Sequence, residues 1–160
     1  MKKWFVCCLA ALLLCAPALA EISFVPPAGY APAEDAGYFA AAQSDVGADF
    51  DGEARVFAAD GKSISLVMLK SDAASSEQAA RNLVQEYAEY IDGFENVQPT
   101  AVEAGGRTFQ RLDFSVDGET VSQMVYADGE NLCLFSFAGM DDSEILAALA
   151  GFTPSDETAE

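Results

Sequence analysis

Residues 107–137, RTFQRLDFSVDGETVSQMVYADGENLCLFSF, decide the fold. Two Asp-Gly pairs, Asp117-Gly118 and Asp128-Gly129, divide this stretch into three segments. Asp-Gly readily adopts the positive φ angles that a tight hairpin turn requires. The pattern therefore predicts a three-stranded antiparallel meander.

Two-residue turns would also fix the register of this meander. The first turn places Val116 opposite Glu119, and the second places Ala127 opposite Glu130. Cys133 then lies opposite Met124. Because the third strand is apolar on both of its faces, we expect the sheet to be covered on both sides.

The other elements follow from turn residues and from hydrophobic periodicity. An Asp-Gly hairpin, an amphipathic helix with apolar residues at helical spacing, and a short helix that begins at a capping box of Asp141 and Glu144 surround the meander. We predict strands over 38–43, 53–59, 63–70 and 97–103 and a long helix over 75–91. The sequence thus predicts an α+β fold, an antiparallel β-sheet covered by helices on both faces (an α/β/α sandwich). We expect one domain over residues 21–153 and a disordered acidic tail over 154–160.

The first 20 residues, MKKWFVCCLAALLLCAPALA, have the pattern of a secretory signal peptide. Two lysines precede an apolar run that is too short to span a bilayer comfortably. Ala18 and Ala20 then provide the small side chains that signal peptidase accepts. We therefore expect cleavage after Ala20, a secreted or periplasmic location, and no membrane insertion after cleavage.

Charge and composition exclude several classes of function. The chain has 8 basic and 26 acidic residues, a formal net charge of −18, and no histidine. Nucleic acid is excluded as a partner because its binding needs a basic patch. The absence of histidine removes Ser-His-Asp catalysis, Cys-His catalysis and histidine-ligated zinc. We expect a protein that is not an enzyme, and we assign no catalytic residue.

Cys133 is the only cysteine that would remain after removal of the signal peptide. No intramolecular disulfide can then form, so the fold must rest on its hydrophobic core. A low-pKa thiolate needs a neighbouring cation, and none is close in sequence. We interpret Cys133 as a structural core cysteine and expect a monomer, with a reactive thiol or a disulfide-linked dimer as the alternative.

An acidic loop contains the weak candidates for a metal site, Asp45, Asp49, Asp51 and Glu53. Carboxylates at short spacing around a glycine suit calcium, a hard ion that takes many oxygen ligands. The loop lacks the first-position aspartate and the twelfth-position glutamate of an EF-hand. We therefore prefer a solvated acidic loop and expect no cofactor, with calcium as the alternative.

Aromatic residues near the predicted mature N-terminus form the remaining candidate site. Tyr30, Tyr38 and Phe39 bracket a segment rich in proline and glycine, and together they could line a groove. Packing of this segment onto the sheet explains the same pattern, and we prefer that interpretation.

The order of elements resembles that of a known fold family. SFVPPAGY (residues 23–30) is followed by a hairpin, a long amphipathic helix, a Gly-Gly-Arg turn, a meander that ends in LCLFSF, and a short helix. This order is similar to that of the small exported bacterial proteins of the PsbP-like fold. The resemblance implies an antiparallel sheet between helices, a role as a binding or assembly module, and no catalytic residues to transfer.

Three functional hypotheses follow. The leading one is a non-enzymatic exported binding or assembly protein of the cell envelope, whose partner is an envelope protein or a small ligand. The second is a calcium-dependent binding module that uses the 45–53 loop. The third is a carboxylate-based hydrolase, which would need two facing carboxyl groups, one with a raised pKa.

Overall fold

A computed structural model of the chain describes residues 22–33, 52–90, 94, 96–116 and 119–154. These residues form nine strands and two helices, which we number in chain order. The elements are β1 (Ser23–Phe24), β2 (Ala31–Pro32), β3 (Gly52–Ala59), β4 (Lys62–Lys70), α1 (Ser76–Tyr90), β5 (Thr100–Ala104), β6 (Arg107–Val116), β7 (Glu119–Ala127), β8 (Asn131–Ala138), α2 (Asp142–Leu149) and β9 (Phe152–Thr153). The predicted strand over 38–43 lies outside the described residues.

Residues 26–151 form one compact unit, built on a seven-stranded sheet. The strand order is β2-β3-β4-β8-β7-β6-β5, and every neighbouring pair is antiparallel. The predicted meander is confirmed as β6, β7 and β8. β8 is the central strand, because it also pairs with β4. In a second unit, the two-residue strands β1 and β9 pair antiparallel.

The register of the first meander hairpin is confirmed, but that of the second is wrong. Val116 lies opposite Glu119 as expected. Across the second hairpin Ala127 lies opposite Leu132, and Cys133 lies opposite Tyr126 instead of Met124. The shift is two residues, so each side chain keeps its predicted face of the sheet.

Helix α1 covers one face of the sheet, which we call the helix face, chiefly over β6 and β7. Its start is fixed by Ser75, whose hydroxyl accepts a hydrogen bond from the Gln78 N–H at 3.3 Å. Ala80 of the helix and Leu112 and Val125 of the sheet beneath it are completely buried. They belong to an apolar cluster that also contains Ala73, Ala79, Leu83, Ala127 and Leu134. The periodicity of the helix thus matches the core that it covers.

Helix α2 lies over the opposite face and begins at the predicted capping box. The Asp141 carboxylate accepts from the Glu144 N–H, and the Glu144 carboxylate accepts from the Asp141 N–H, both at 3.0 Å. The other end of the helix approaches the turn between β5 and β6 at Gly105. A Cβ atom there would lie 3.2 Å from the Cα of Ala150, and Gly105 has a φ of +57°. Both the close approach and the positive φ favour glycine.

The α/β/α sandwich expected from the sequence is wrong. Side chains on both faces of the central strands are indeed buried, including Leu112 on one face and Phe135 on the other. However, the described residues are mostly antiparallel strand, with only two helices. α1 packs chiefly on β6 and β7, and the eight-residue α2 chiefly on β5. Two helices of this length cannot form complete layers over seven strands. Neither described helix is long and apolar enough to cross a membrane.

Candidate functional site

The structure describes only part of the predicted acidic site. Asp45, Asp49 and Asp51 lie outside the described residues. Glu53 is exposed on β3, where its carboxylate accepts from the Arg55 Nε at 2.6 Å. This hydrogen bond lowers the pKa of Glu53. Among the residues that the structure describes, no group of three or more acidic or cysteine side chains could hold a metal ion.

Cys133 lies in the central strand of the sheet and is completely buried. Its cross-strand neighbours are Met68 on β4 and Tyr126 on β7. Burial raises the pKa of the Cys133 thiol to about 12. The side chain is therefore a neutral thiol at physiological pH, which is a poor nucleophile.

Tyr30 is the only described member of the predicted aromatic groove, because Tyr38 and Phe39 lie outside the described residues. It follows a turn in which the Tyr30 N–H donates to the Pro27 carbonyl at 3.2 Å. Burial raises the pKa of its phenol, and the charges of Lys62 and Glu144 act on it as well. Tyr30 is thus close to the first turn of α2.

An arginine connects α2 to the sheet. Arg111 on β6 donates to both carboxylate oxygens of Asp113, at 2.8 and 2.9 Å, and to Asp142 of α2 at 2.8 Å. It also donates to the Ser122 hydroxyl on β7 at 3.2 Å, and that hydroxyl donates to Asp113 at 2.7 Å. With the Arg111 side chain 22% exposed, these bonds are partly shielded from water. Four side chains from three elements therefore form one network.

A second ion pair joins the start of β4 to the first turn of α2. The Lys62 ammonium donates to the Glu144 carboxylate. This bond lowers the pKa of Glu144 and raises that of Lys62. A hydrogen bond from the Ser143 hydroxyl lowers the pKa of Asp141. Each shift moves the pKa of the group further from 7. These residues therefore keep their charges at pH 7 and hold α2 on the sheet.

The helix face has a different character over β3, β4 and β8. Eight side chains of these three strands are half-buried on this face and none of them is charged, and five of the eight are serine or valine. We call these five the serine floor: Val56, Ser63, Ser65, Val67 and Ser136. Val67 also packs against the apolar cluster beneath α1. The floor therefore continues the hydrophobic core outward to a surface of short, uncharged side chains.

A row of hydrogen bonds extends from α1 to this floor. The Tyr87 hydroxyl donates to the Gln123 Oε1 at 3.2 Å, and the Gln123 Nε2 donates to the Ser136 hydroxyl at 3.3 Å. Ser136 lies opposite Ser65 on the neighbouring strand. Because Gln123 is only 6% exposed, its amide is held in place, and it orients the Ser136 hydroxyl. The floor can thus offer one oriented hydroxyl group, that of Ser136, to a ligand.

Sequence reasoning did not find the serine floor. The only pattern that could have indicated it is the alternation of serine with large apolar residues at Ser63 and Ser65. In a strand that is buried on both faces, such alternation marks one face as less fully covered.

No family model matches this chain, and no curated protein matches it either. The function is therefore inferred from the two arrangements above. The network around α2 consists of charges fixed by one another, whereas the serine floor is uncharged and half-buried. A surface of the second kind is suited to binding.

Proposed function

We propose that this protein is a non-enzymatic, exported binding or assembly protein of the cell envelope, and that the serine floor is its binding surface. The observation that carries the proposal is an uncharged, half-buried area on a chain with a net charge of −18. A partner that covers it has little charge to desolvate there, which reduces the cost of binding.

The ionisable groups of the described residues support a role without catalysis. A general base or nucleophile works best when its pKa lies near the operating pH. The resolved shifts of Glu53, Asp141 and Glu144 are downward, and burial raises the pKa of Cys133 to about 12. All four groups are thus poorly placed for proton transfer at neutral pH. The N-terminal sequence supports export, because it has the pattern of a secretory signal peptide.

A charge placed on the floor tests the proposal. The protein without residues 1–20 is immobilised and exposed to an envelope fraction of its host, in parallel with Ser65→Lys and Thr120→Lys. Thr120 is an exposed residue of β7 and serves as the matched control. We expect the wild type and Thr120→Lys to retain the same partner and Ser65→Lys to lose it. Equal retention by Ser65→Lys would reject the floor, and turnover of ester, glycoside or peptide substrates would reject a non-enzymatic role.

A further inference from the structure

All six basic side chains beyond residue 20 already have partners within the chain. Within the part of the chain that the structure describes, four of them form ion pairs with carboxylates, and Lys70 and Arg107 donate to uncharged oxygens. The pairs are Arg55 with Glu53, Lys62 with Glu144, Lys70 with the Asn131 amide, Arg81 with Glu77, Arg107 with the Gly105 carbonyl, and Arg111 with Asp113 and Asp142. The protein's own cations therefore neutralise only part of its negative charge.

The acids that have no cationic partner in the described part of the chain include several around the serine floor. Asp60 is exposed in the turn between β3 and β4, at one end of the floor. Asp72 and Glu130 are exposed at the other end, where the Ser71 N–H donates to the Glu130 carbonyl at 3.0 Å. Glu86 and Glu89 are exposed on α1, which lies over the same face. Lys70 is also exposed at the end that contains Asp72 and Glu130, where its ammonium donates to the uncharged Asn131 amide. The floor is thus neutral, and among the described residues the charges at its ends are negative in sum.

This distribution of charge discriminates between possible occupants. A second copy of the chain would bring a net charge of −18 against −18, and the acidic ends would repel each other. An anionic polymer meets the same repulsion. A cationic partner is attracted, and complementary charge both speeds its encounter and fixes its register on the surface.

We infer that the serine floor docks a polypeptide segment with short uncharged side chains at its centre and lysine or arginine towards both ends. This inference rests on the proposed function and specifies its partner. The two acidic ends flank β4, whose nine residues cover roughly 26 Å at about 3.3 Å per residue. An extended segment of about eight or nine residues therefore places a cation near Asp60 and another near Asp72 and Glu130.

Site-specific photocrosslinking in the exporting host tests this inference on the full chain. Benzoylphenylalanine is introduced at Ser65, with Thr120 as the control position. Ala58, exposed on the same face as the floor, is a second position in case the Ser65 variant does not fold. We expect a protein adduct at Ser65 or Ala58 that Thr120 does not give. Mass spectrometry of the adduct should place the crosslink in a segment flanked by lysine or arginine.

Neutralisation of the acidic ends tests the role of charge. The variant Asp60→Asn/Asp72→Asn/Glu130→Gln is compared with Asp156→Asn/Glu157→Gln/Glu160→Gln, which removes the same charge from the last five residues of the sequence. We expect the first to lower the adduct yield at least about fivefold and the second to leave it unchanged, because complementary charge raises encounter rates by ~10-fold or more.

The possible failures are distinguishable. An adduct at the floor that contains a second copy, a glycan, or a polypeptide without flanking cations would overturn this inference and leave the proposed function standing. If neutralisation of the acidic ends does not change the adduct yield, this inference also fails while the proposed function stands. If neither floor position gives more adduct than Thr120, both the inference and the proposed function fail.

Discussion

Gln123 lies opposite Ser136 across β7 and β8, and its buried amide joins the Tyr87 hydroxyl on one side to the Ser136 hydroxyl on the other. One side chain therefore ties the main helix to the central strand through hydrogen bonds as well as through apolar packing.

Removal of the Tyr87 hydroxyl should weaken this connection. Tyr87→Phe leaves the Gln123 Oε1 without its donor in a buried site, and we expect a loss of about 1–2 kcal/mol in the free energy of unfolding. Urea denaturation measures this loss. Gln123→Met and the double variant complete a cycle, in which the two losses should be less than additive. Full additivity would show that the hydrogen bond contributes nothing.

Arg111 should be the most sensitive residue in the attachment of α2. Arg111→Met leaves Asp113, Asp142 and Ser122 without their shared donor. We expect a loss of about 1–3 kcal/mol, because hydrogen bonds to charged groups are among the stronger ones. The matched control is Arg81→Met, which breaks only the exposed pair with Glu77 and should cost about 0.5 kcal/mol or less. Equal losses for the two variants would contradict a special role for Arg111.

Acid should weaken the contact between β4 and α2. The pKa values of Glu144 and Asp141 are lowered in the folded protein, so the unfolded chain binds protons first as the pH falls. The stabilisation is present above their ordinary values of 4.5 and 3.8 and is lost as the pH falls through the lower folded values. Glu144→Gln should flatten the dependence of the unfolding free energy on pH below about 5.

The same ion pair predicts the behaviour in alkali. The pKa of Lys62 is raised above its ordinary value of 10.5, so its contribution is present below that value and is lost as the pH rises through the higher folded value. The free energy of unfolding measured between pH 7 and 10 should therefore not change through this pair.

Glu86→Gln, which removes an exposed carboxylate of α1, is the control for net charge alone in the acid experiment. If Glu86→Gln flattens the acid limb as much as Glu144→Gln does, the ion pair is not the cause.

Cys133 should not react with thiol reagents in the native protein. A rise of the pKa from 9.0 to about 12 lowers the thiolate fraction roughly a thousandfold at neutral pH, and burial also blocks access. Ellman's reagent at pH 8 should detect one thiol per chain without residues 1–20 only after unfolding in urea. Rapid reaction of the native protein would contradict the central position of β8.

The last prediction concerns cleavage of the signal peptide that we propose for residues 1–20. We expect the protein recovered from outside the cytoplasm of its host to begin at Glu21, and N-terminal sequencing measures this directly. Ala20→Arg places a large charged side chain at the cleavage position and should prevent processing, whereas Ala16→Ser should allow it. A first residue of Met1 in the exported protein would contradict a cleaved signal peptide.

Local chemistry determined how much of the fold could be read from the sequence. Both meander turns contain Asp-Gly, yet only the first has the expected register. In the second, the Asp128 carboxylate accepts from the backbone N–H groups of Glu130 and Asn131, and the loop lengthens. A side chain that bonds its own backbone competes with the two-residue turn, and the dipeptide does not reveal which arrangement prevails.

Pairing between distant strands was beyond local patterns. The pairing of β4 with β8 brings together residues that are far apart in the sequence, such as Ser63 and Ala138. No turn residue indicates that these two strands are neighbours. The serine floor depends on this contact, because Ser136 and Ser65 become neighbours only when the two strands pair. The candidate site therefore does not follow from the sequence, for the same reason that the strand order does not. The two helices also cover less of the sheet than the apolar patterns of the strands predict.

The central position of β8 also governs when the protein can fold. Synthesis as far as Ala127 supplies the strands of the β3–β4 hairpin and of the β5–β6–β7 part of the sheet, but the strand that joins these two parts follows only in residues 131–138. Pairing over such a sequence separation is slow, since a long loop must close before any contact forms. The sheet of a nascent chain therefore stays incomplete until the last fifth of the chain is made. Under the export that we propose, this delay leaves the sheet incomplete until translocation has begun.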